Sequence, residues 1–393
     1  MQRLIYFLSI LLLSIPLSVF SQPDDSTEFF LLTCLPGKEV ATIYGHSAIR
    51  IVNTSVGYDE VFSWGVYDFN TPNFVWKFAK GRLNYKIDSD TYDQFIQQYL
   101  SEQRSVISQK INLSNEEKAT FISLINNNMR PENRLYLYDF FYDNCATRIR
   151  DLLEKTFRGR LVYPDEKHKT IPTFRERINQ VQKPIPWLSV GTDLLIGISG
   201  DKKAGFRERM FLPEDLRINL SLAAIKDNGK LNPLLQKPIL VLEFKPLAQN
   251  RKVWLSPLFI FSIIFIAITL LQILIKSKNF NNFLDIFLFF TFSILSVLMV
   301  FFNFFTDHQA MKMNWNIIWL NPFLLTALVS LVTKRRQSIW FRTILLLSIG
   351  FLLSVAILPQ SINSAFIPLI SILIIRSATR SKLNQIRLLK KIF

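Results

Sequence analysis

From residue 254 onward the chain is a succession of apolar runs, at 254–275, 283–305, 317–332, 339–358 and 365–375, separated by short polar connectors. About 20 apolar residues in a row are what a helix needs to cross the hydrocarbon layer of a membrane. Backbone polar groups in lipid must pair within the segment, so each run is expected to be a transmembrane helix. The preceding residues, from 22 to 252, are long enough to bury a separate core.

Charge orients the bundle. The formal net charge is +16, and in the C-terminal third the basic residues cluster in alternate connectors. Lys276 and Lys278 follow the first run, Lys334, Arg335 and Arg336 the third, and Arg376, Arg380, Lys382, Arg387, Lys390 and Lys391 the fifth. The opposite connectors hold Lys312 alone and, at 359–364, no basic residue. Cytoplasmic loops are the ones enriched in Lys and Arg, so everything before Trp254 is expected outside and the tail inside. Five spans, an odd number, satisfy that arrangement. No basic helix or aromatic-basic platform suggests nucleic acid as a partner. Residues 1–21 read as a secretory signal, with Arg3, an apolar stretch from Leu4 to Phe20, and small residues near Ser21. A first transmembrane helix is the competing reading.

The soluble half alternates strand-like and helix-like segments. Strands are expected over 41–52, 60–69 and 81–87, with His46, Ala48, Arg50 and Val52 on one face of the first. Helices are expected over 91–100 and after the capping pattern Ser114-Asn115-Glu116-Glu117, stopping before Pro131. Another begins at Asp143 or Asn144, with Ile149, Leu152 and Leu153 as its apolar face, and an amphipathic piece covers 210–216.

Two cysteines are present, Cys34 and Cys145, and in an oxidising compartment they could form one disulfide. Cys145 is also the best nucleophile in the chain. A thiol in the first turn of a helix feels the positive end of the dipole, and Arg148 and Arg150 are expected to lower its pKa further. Its base would be a histidine, either His46, in a strand entered through Gly45, or His168, in a charged loop; His46 is the better placed. Three scattered His and two Cys give no metal-ligand spacing, and no cofactor is implied. The connector Thr306-Asp307-His308, followed by Asn314-Trp315-Asn316 and Trp319, reads as an interfacial belt of Trp and Asn, or as membrane-side support for a site through Asp307 and His308.

Two long motifs, Tyr44-Gly45-His46-Ser47-Ala48-Ile49-Arg50 and Tyr138-Asp139-Phe140-Phe141-Tyr142-Asp143-Asn144-Cys145-Ala146-Thr147-Arg148, resemble those of the Lnb-type lipoprotein N-acyltransferases. The resemblance extends through Phe78-Ala79-Lys80-Gly81, Pro131-Glu132-Asn133-Arg134 and the apolar C-terminal third. It implies an α+β fold: a circularly permuted papain-like (NlpC/P60-like) periplasmic domain over 22–180, an extension over 181–252, a five-helix transmembrane domain over 253–376 and a basic cytoplasmic tail over 377–393. It further implies a bacterial inner-membrane enzyme with Cys145 as nucleophile and His46 as base. Its partners would be a phospholipid acyl donor and a lipoprotein acceptor. A third group should orient His46; Asp59, Glu60 and Asp68 are candidates, with Asp68 preferred. Asn144 and backbone N–H groups of the same turn could bind an oxyanion. Two other functions remain open: a periplasmic thiol amidase or peptidase acting on cell-wall peptide, and a non-catalytic membrane sensor or scaffold with Cys34 bonded to Cys145.

Overall fold

The computed structural model describes residues 25–167, 170–245, 253–333 and 338–381. The signal segment, His168, the basic cluster 334–336 and the tail from 382 onward lie outside the described residues.

The soluble half is built on an antiparallel sheet. Its strands are β1 (Thr27–Cys34), β2 (His46–Asn53), β3 (Tyr58–Val66), β4 (Asn84–Thr91), β5 (Val106–Lys110) and β6 (Leu135–Leu137). A small separate sheet contains β7 (Leu161–Val162), β8 (Ala224–Asp227) and β9 (Lys230–Pro233), after which β10 (Ile239–Leu242) returns to the edge of the large one. The seven-stranded order is β10-β5-β1-β2-β3-β4-β6. The stretch expected as one strand over 41–52 instead starts with a 3-10 turn, Val40–Thr42, and becomes extended only at His46.

Four helices of this half matter for the site: α1 (Phe74–Lys80), α2 (Tyr92–Ser101), α3 (Asn115–Met129) and α4 (Cys145–Phe157). Thr91, Ser114 and Asn144 cap α2, α3 and α4 through reciprocal capping boxes. Strand alternation sends successive side chains to opposite faces, giving two cores. Ile49, Ile51, Phe62 and Trp64 meet Ala146, Ile149, Leu152 and Phe157 of α4 on one face. Leu32, Cys34, Ala48 and Val61 meet Phe95 and Tyr99 of α2 on the other. Each large apolar side chain buried here contributes about 1.5–3 kcal/mol. The sheet is thus the middle layer, and the first turn of α4 reaches its end.

Beyond it lie α5 (Phe174–Val181), α6 (Pro186–Leu195) and α7 (Pro213–Leu222), then the apolar helices α8 (Pro257–Leu274), α9 (Lys278–Phe304), α10 (Phe323–Val332), α11 (Ser338–Ser354) and α12 (Phe366–Arg380). Among the described residues, three segments are long and apolar enough to cross a membrane: Pro257–Leu274, Lys278–Phe304 and Trp315–Val332. The last is a 3-10 turn, Trp315–Ile318, continued by α10. Asp285 of α9 is fully buried and pairs with Arg376 and Arg380 of α12, tying the ends of those helices together.

Two junctions fasten the soluble half to this bundle. In the first, Arg175 is buried between Asp193 and Asp201, 3.0 Å from each, while Asp193 accepts from Asn363 Nδ2 at 2.8 Å. Asn314 Nδ2 donates to the carbonyls of Leu194 and Leu195, and Trp319 Nε1 to Asn316. Asn314, Asn316 and Trp319 are therefore buried plugs of the junction, not a belt facing headgroups. In the second, the Asp307 N–H donates to the Lys80 carbonyl at 2.8 Å, the Asp307 carboxylate pairs with Arg82 at 2.5 Å, and His308 Nε2–H donates to the Phe78 carbonyl at 2.9 Å. Gly81, at φ +70°, sits beneath His308, where an added Cβ would come within 3.0 Å of the His308 nitrogen. Asp307 and His308 thus lock α1 to the bundle.

Candidate active site

Asn144 determines where α4 begins. Its Oδ1 accepts from the N–H groups of Ala146 and Thr147, both at 2.9 Å, and its own N–H donates to Thr147 Oγ1 at 2.7 Å. Its Nδ2 donates to the carbonyls of Phe140 at 2.8 Å and Phe211 at 3.0 Å. Both ends of the amide are engaged, so Asn144 is a positioning residue, and the oxyanion role expected for its side chain is corrected. The loop before it is tied by Asp139, whose Oδ1 accepts from Phe141 and Tyr142.

Cys145 is consequently the first helical residue and is 8 % exposed. The backbone N–H groups of Ser47, Ala146 and Cys145 itself lie on the side of the sulfur where they lower its pKa. These contacts favour the thiolate, but burial outweighs them and pushes the thiol above its ordinary value. The lowered pKa expected from Arg148 and Arg150 is not found, because those charges are spent elsewhere. Arg148 forks onto Asp143 and lies 3.9 Å over the Tyr136 ring, and Arg150 pairs with Asp151 at 2.7 Å.

His46 opens β2, directly before Ser47, whose N–H favours the Cys145 thiolate. Gly45 precedes it at φ +78°, and a Cβ there would lie 2.6 Å from the Cys34 carbonyl oxygen, so only glycine admits this entry. Alternation assigns His46 to the row of Ala48 and Arg50, on the α2 side, with Cys34 as its cross-strand partner. Burial, with Arg104 adding to it, pushes the imidazole down to about 4, so it is neutral at pH 7. Among the described residues no hydrogen bond joins the ring to Cys145. Proton-transfer contacts often tighten only when substrate is bound. Both cysteines are free thiols, which removes the disulfide that the scaffold reading required. Cys34 is buried beneath Tyr99, and burial pushes it up to about 12.

None of the expected third groups reaches His46. Asp59 is forked by Arg50 at 2.7 and 2.6 Å, and Glu60 accepts from Tyr58. Both lie toward the far end of β2, paired with Val52 and Ile51. Asp68 is exposed and accepts from the Asn70 N–H within its own turn. The charges that His46 does feel belong to Arg104 and Glu102, an ion pair of 2.8 Å following α2.

Sequence reasoning missed the tyrosines beside the thiol and a pair of buried hydroxyls on the neighbouring strands. Thr33 and Ser47 face each other across β1 and β2, and among the described residues their buried oxygens have no hydrogen-bond partner, nor has the Tyr136 hydroxyl. Tyr136 and Tyr138 both lie close enough for a Cys145 thiolate to oppose their ionisation. A Cβ on Gly65 would sit in ordinary contact, 3.5 Å from the Tyr138 ring and 3.9 Å from Cys145 Cβ, so the two groups meet over this residue and its φ of +87°, not a lack of room, is what favours glycine. The alternation Tyr136, Tyr138 just before the Cys-bearing helix was the available signal. A cavity of about 790 Å³ at the opposite end of the sheet, lined by Glu28, Lys110, Glu117 and Arg160, does not include Cys145.

The fold and site define a class: a mixed α/β periplasmic domain with a free, buried thiol, mounted on a multi-pass inner-membrane region. Within that class the chain belongs to the Lnb-type family, since residues 21–178 match the Lnb N-terminal periplasmic domain and residues 248–387 the Lnb transmembrane domain. No curated protein and no solved structure matches the chain.

Proposed function

We propose that this protein is a lipoprotein N-acyltransferase working at the outer leaflet of the inner membrane. The observation that carries the reading is the Cys145 thiol at the tip of α4, in a domain anchored to a membrane bundle by two polar junctions. Membership of the Lnb-type family supports an enzyme. In the first step Cys145 attacks an ester carbonyl of a phospholipid. Its proton passes to neutral His46, the C–S bond forms, and the C–O bond breaks as the lysophospholipid oxygen takes that proton. In the second step the α-amine of a diacylglyceryl-cysteine lipoprotein attacks the thioester. A C–N bond forms, the C–S bond breaks, and the amine proton returns through His46 to the sulfur.

The reading requires the His46 ring to reach the sulfur around the open end of β2, a side-chain rotation about a residue preceded by Gly45. Backbone N–H groups of Ser47 and Ala146 and the buried Tyr136 hydroxyl are the donors assigned here to the tetrahedral oxyanion. Burial suits an acyl-enzyme that must wait for an amine, because water competes with transfer. We further propose five spans, a cytoplasmic tail and a permuted papain-like topology, supported by the His-strand preceding the Cys-helix. Lipoprotein mass analysis in a strain lacking its own N-acyltransferase tests the function. Expression should restore triacylated N-termini, and Cys145→Ser should not. Unchanged diacyl lipoproteins together with cleaved cell-wall peptide would establish the thiol hydrolase instead.

A further inference from the structure

Helix α1 is apolar where a soluble domain should not be. Val75 is 77 % exposed, Trp76 59 % and Phe78 52 %, and Phe69 in the preceding loop is 72 % exposed. Contiguous apolar surface of this kind marks a partner or a membrane. Its position identifies which. The Trp76 ring lies 5.7 Å from Phe301, in the last turn of the 27-residue apolar helix α9. Lys80 Nζ donates to the Phe305 carbonyl at 2.5 Å, where that helix ends. The exposed face of α1 therefore continues the lipid-facing surface of α9, at the level where the chain leaves the bilayer. Aromatic side chains over a basic edge, here Lys77 and Lys80, are what an interfacial helix presents to tails and headgroups.

A row of rings leads inward from this face. Phe78 stacks on Phe74, which lies 5.8 Å from Tyr67; Tyr67 is 5.3 Å from Tyr85, and Tyr85 4.6 Å from Tyr138 beside Cys145. We infer that α1 is seated in the outer leaflet and that this aromatic row conducts the acyl chain of a membrane phospholipid from the leaflet to Cys145. The delivery half of the inference rests on the proposed thiol chemistry; the membrane seat does not.

The seat is tested on the full-length protein reconstituted in phosphatidylethanolamine–phosphatidylglycerol vesicles, with a nitroxide on Val75→Cys. Val56→Cys, in a turn 73 % exposed at the far end of β2, is the reference, and unsubstituted protein gives the background from Cys34 and Cys145. At Val75→Cys the label should collide more with oxygen than with a water-soluble nickel chelate, and at Val56→Cys the order should reverse. An aqueous profile at Val75→Cys, or shielding from both quenchers as under a second protein copy, would overturn the seat. For delivery, the double variant Trp76→Ser, Phe78→Ser should lose about tenfold more turnover of vesicle phospholipid than of a monomeric short-chain thioester. Equal loss on the two donors would overturn delivery. If the thiol chemistry itself were wrong, neither donor would acylate Cys145 in the unsubstituted protein, whereas the nitroxide result would stand.

Discussion

Replacing Asn144 by alanine separates a positioning role from a chemical one. The amide serves four partners at once, accepting from Ala146 and Thr147 and donating to the carbonyls of Phe140 and Phe211. Loss of a helix cap costs about 1 kcal/mol. Each of the two carbonyls left without its donor costs about 1–3 kcal/mol more, so the total is at least ~3 kcal/mol. For a domain of this size that corresponds to a fall in Tm of roughly 6–12 °C. Thermal unfolding of the full-length protein in detergent reads it directly, alongside the alkylation rate of Cys145 followed by mass spectrometry. The first turn of α4 should loosen, so Asn144→Ala should melt earlier and alkylate faster. Asn144→Asp keeps the acceptor and loses the two donations, so its Tm should fall between the two. An Asn144→Ala protein with unchanged Tm and alkylation but no activity would refute the reasoning and return Asn144 to the chemistry.

Burial holds His46 at about 4 against an ordinary 6.5, so the unfolded chain takes up this proton first. The stability it contributes is whole above pH 6.5 and is lost as pH falls through 4. Denaturant titrations should show His46→Gln with a flatter stability profile across that window; identical slopes would contradict it. Cys145 alkylation should rise with pH through and above the ordinary thiol value of 9.0, without the acid plateau of a thiolate–imidazolium pair. Gly81→Ala combines a left-handed φ with contact on His308, so it should weaken the junction by at least about 1 kcal/mol and lower Tm; an unchanged melt would count against the lock.

Local rules were legible where they act alone. The capping box at Ser114, the helix start at Asp143 or Asn144 and the stop before Pro131 all follow from neighbouring residues. β1 was not legible: Thr27–Cys34 is a central strand covered on both faces, so its apolar run lacks the alternation that marks a half-buried strand. The choice of Asp68 failed for a related reason, because the twist and register that carry it to an exposed turn are properties of the sheet. The Cys145 pKa was misjudged because sequence gives the helix dipole and nearby arginines, but not the desolvation that opposes them or the acids that hold them. Asn314 and Trp319 looked interfacial by type, yet Asn314 pairs with the carbonyls of Leu194 and Leu195 and Trp319 with the buried Asn316, which makes them internal.

The most direct measurement is the mass of the peptide carrying Cys145 after full-length protein is incubated with phospholipid vesicles and quenched before any amine acceptor is added. A fatty-acyl increment on Cys145, lost on mild hydroxylamine treatment and absent from Cys34, is the result expected here. A bare Cys145 in protein that still hands acyl chains to lipoprotein amines would contradict the account.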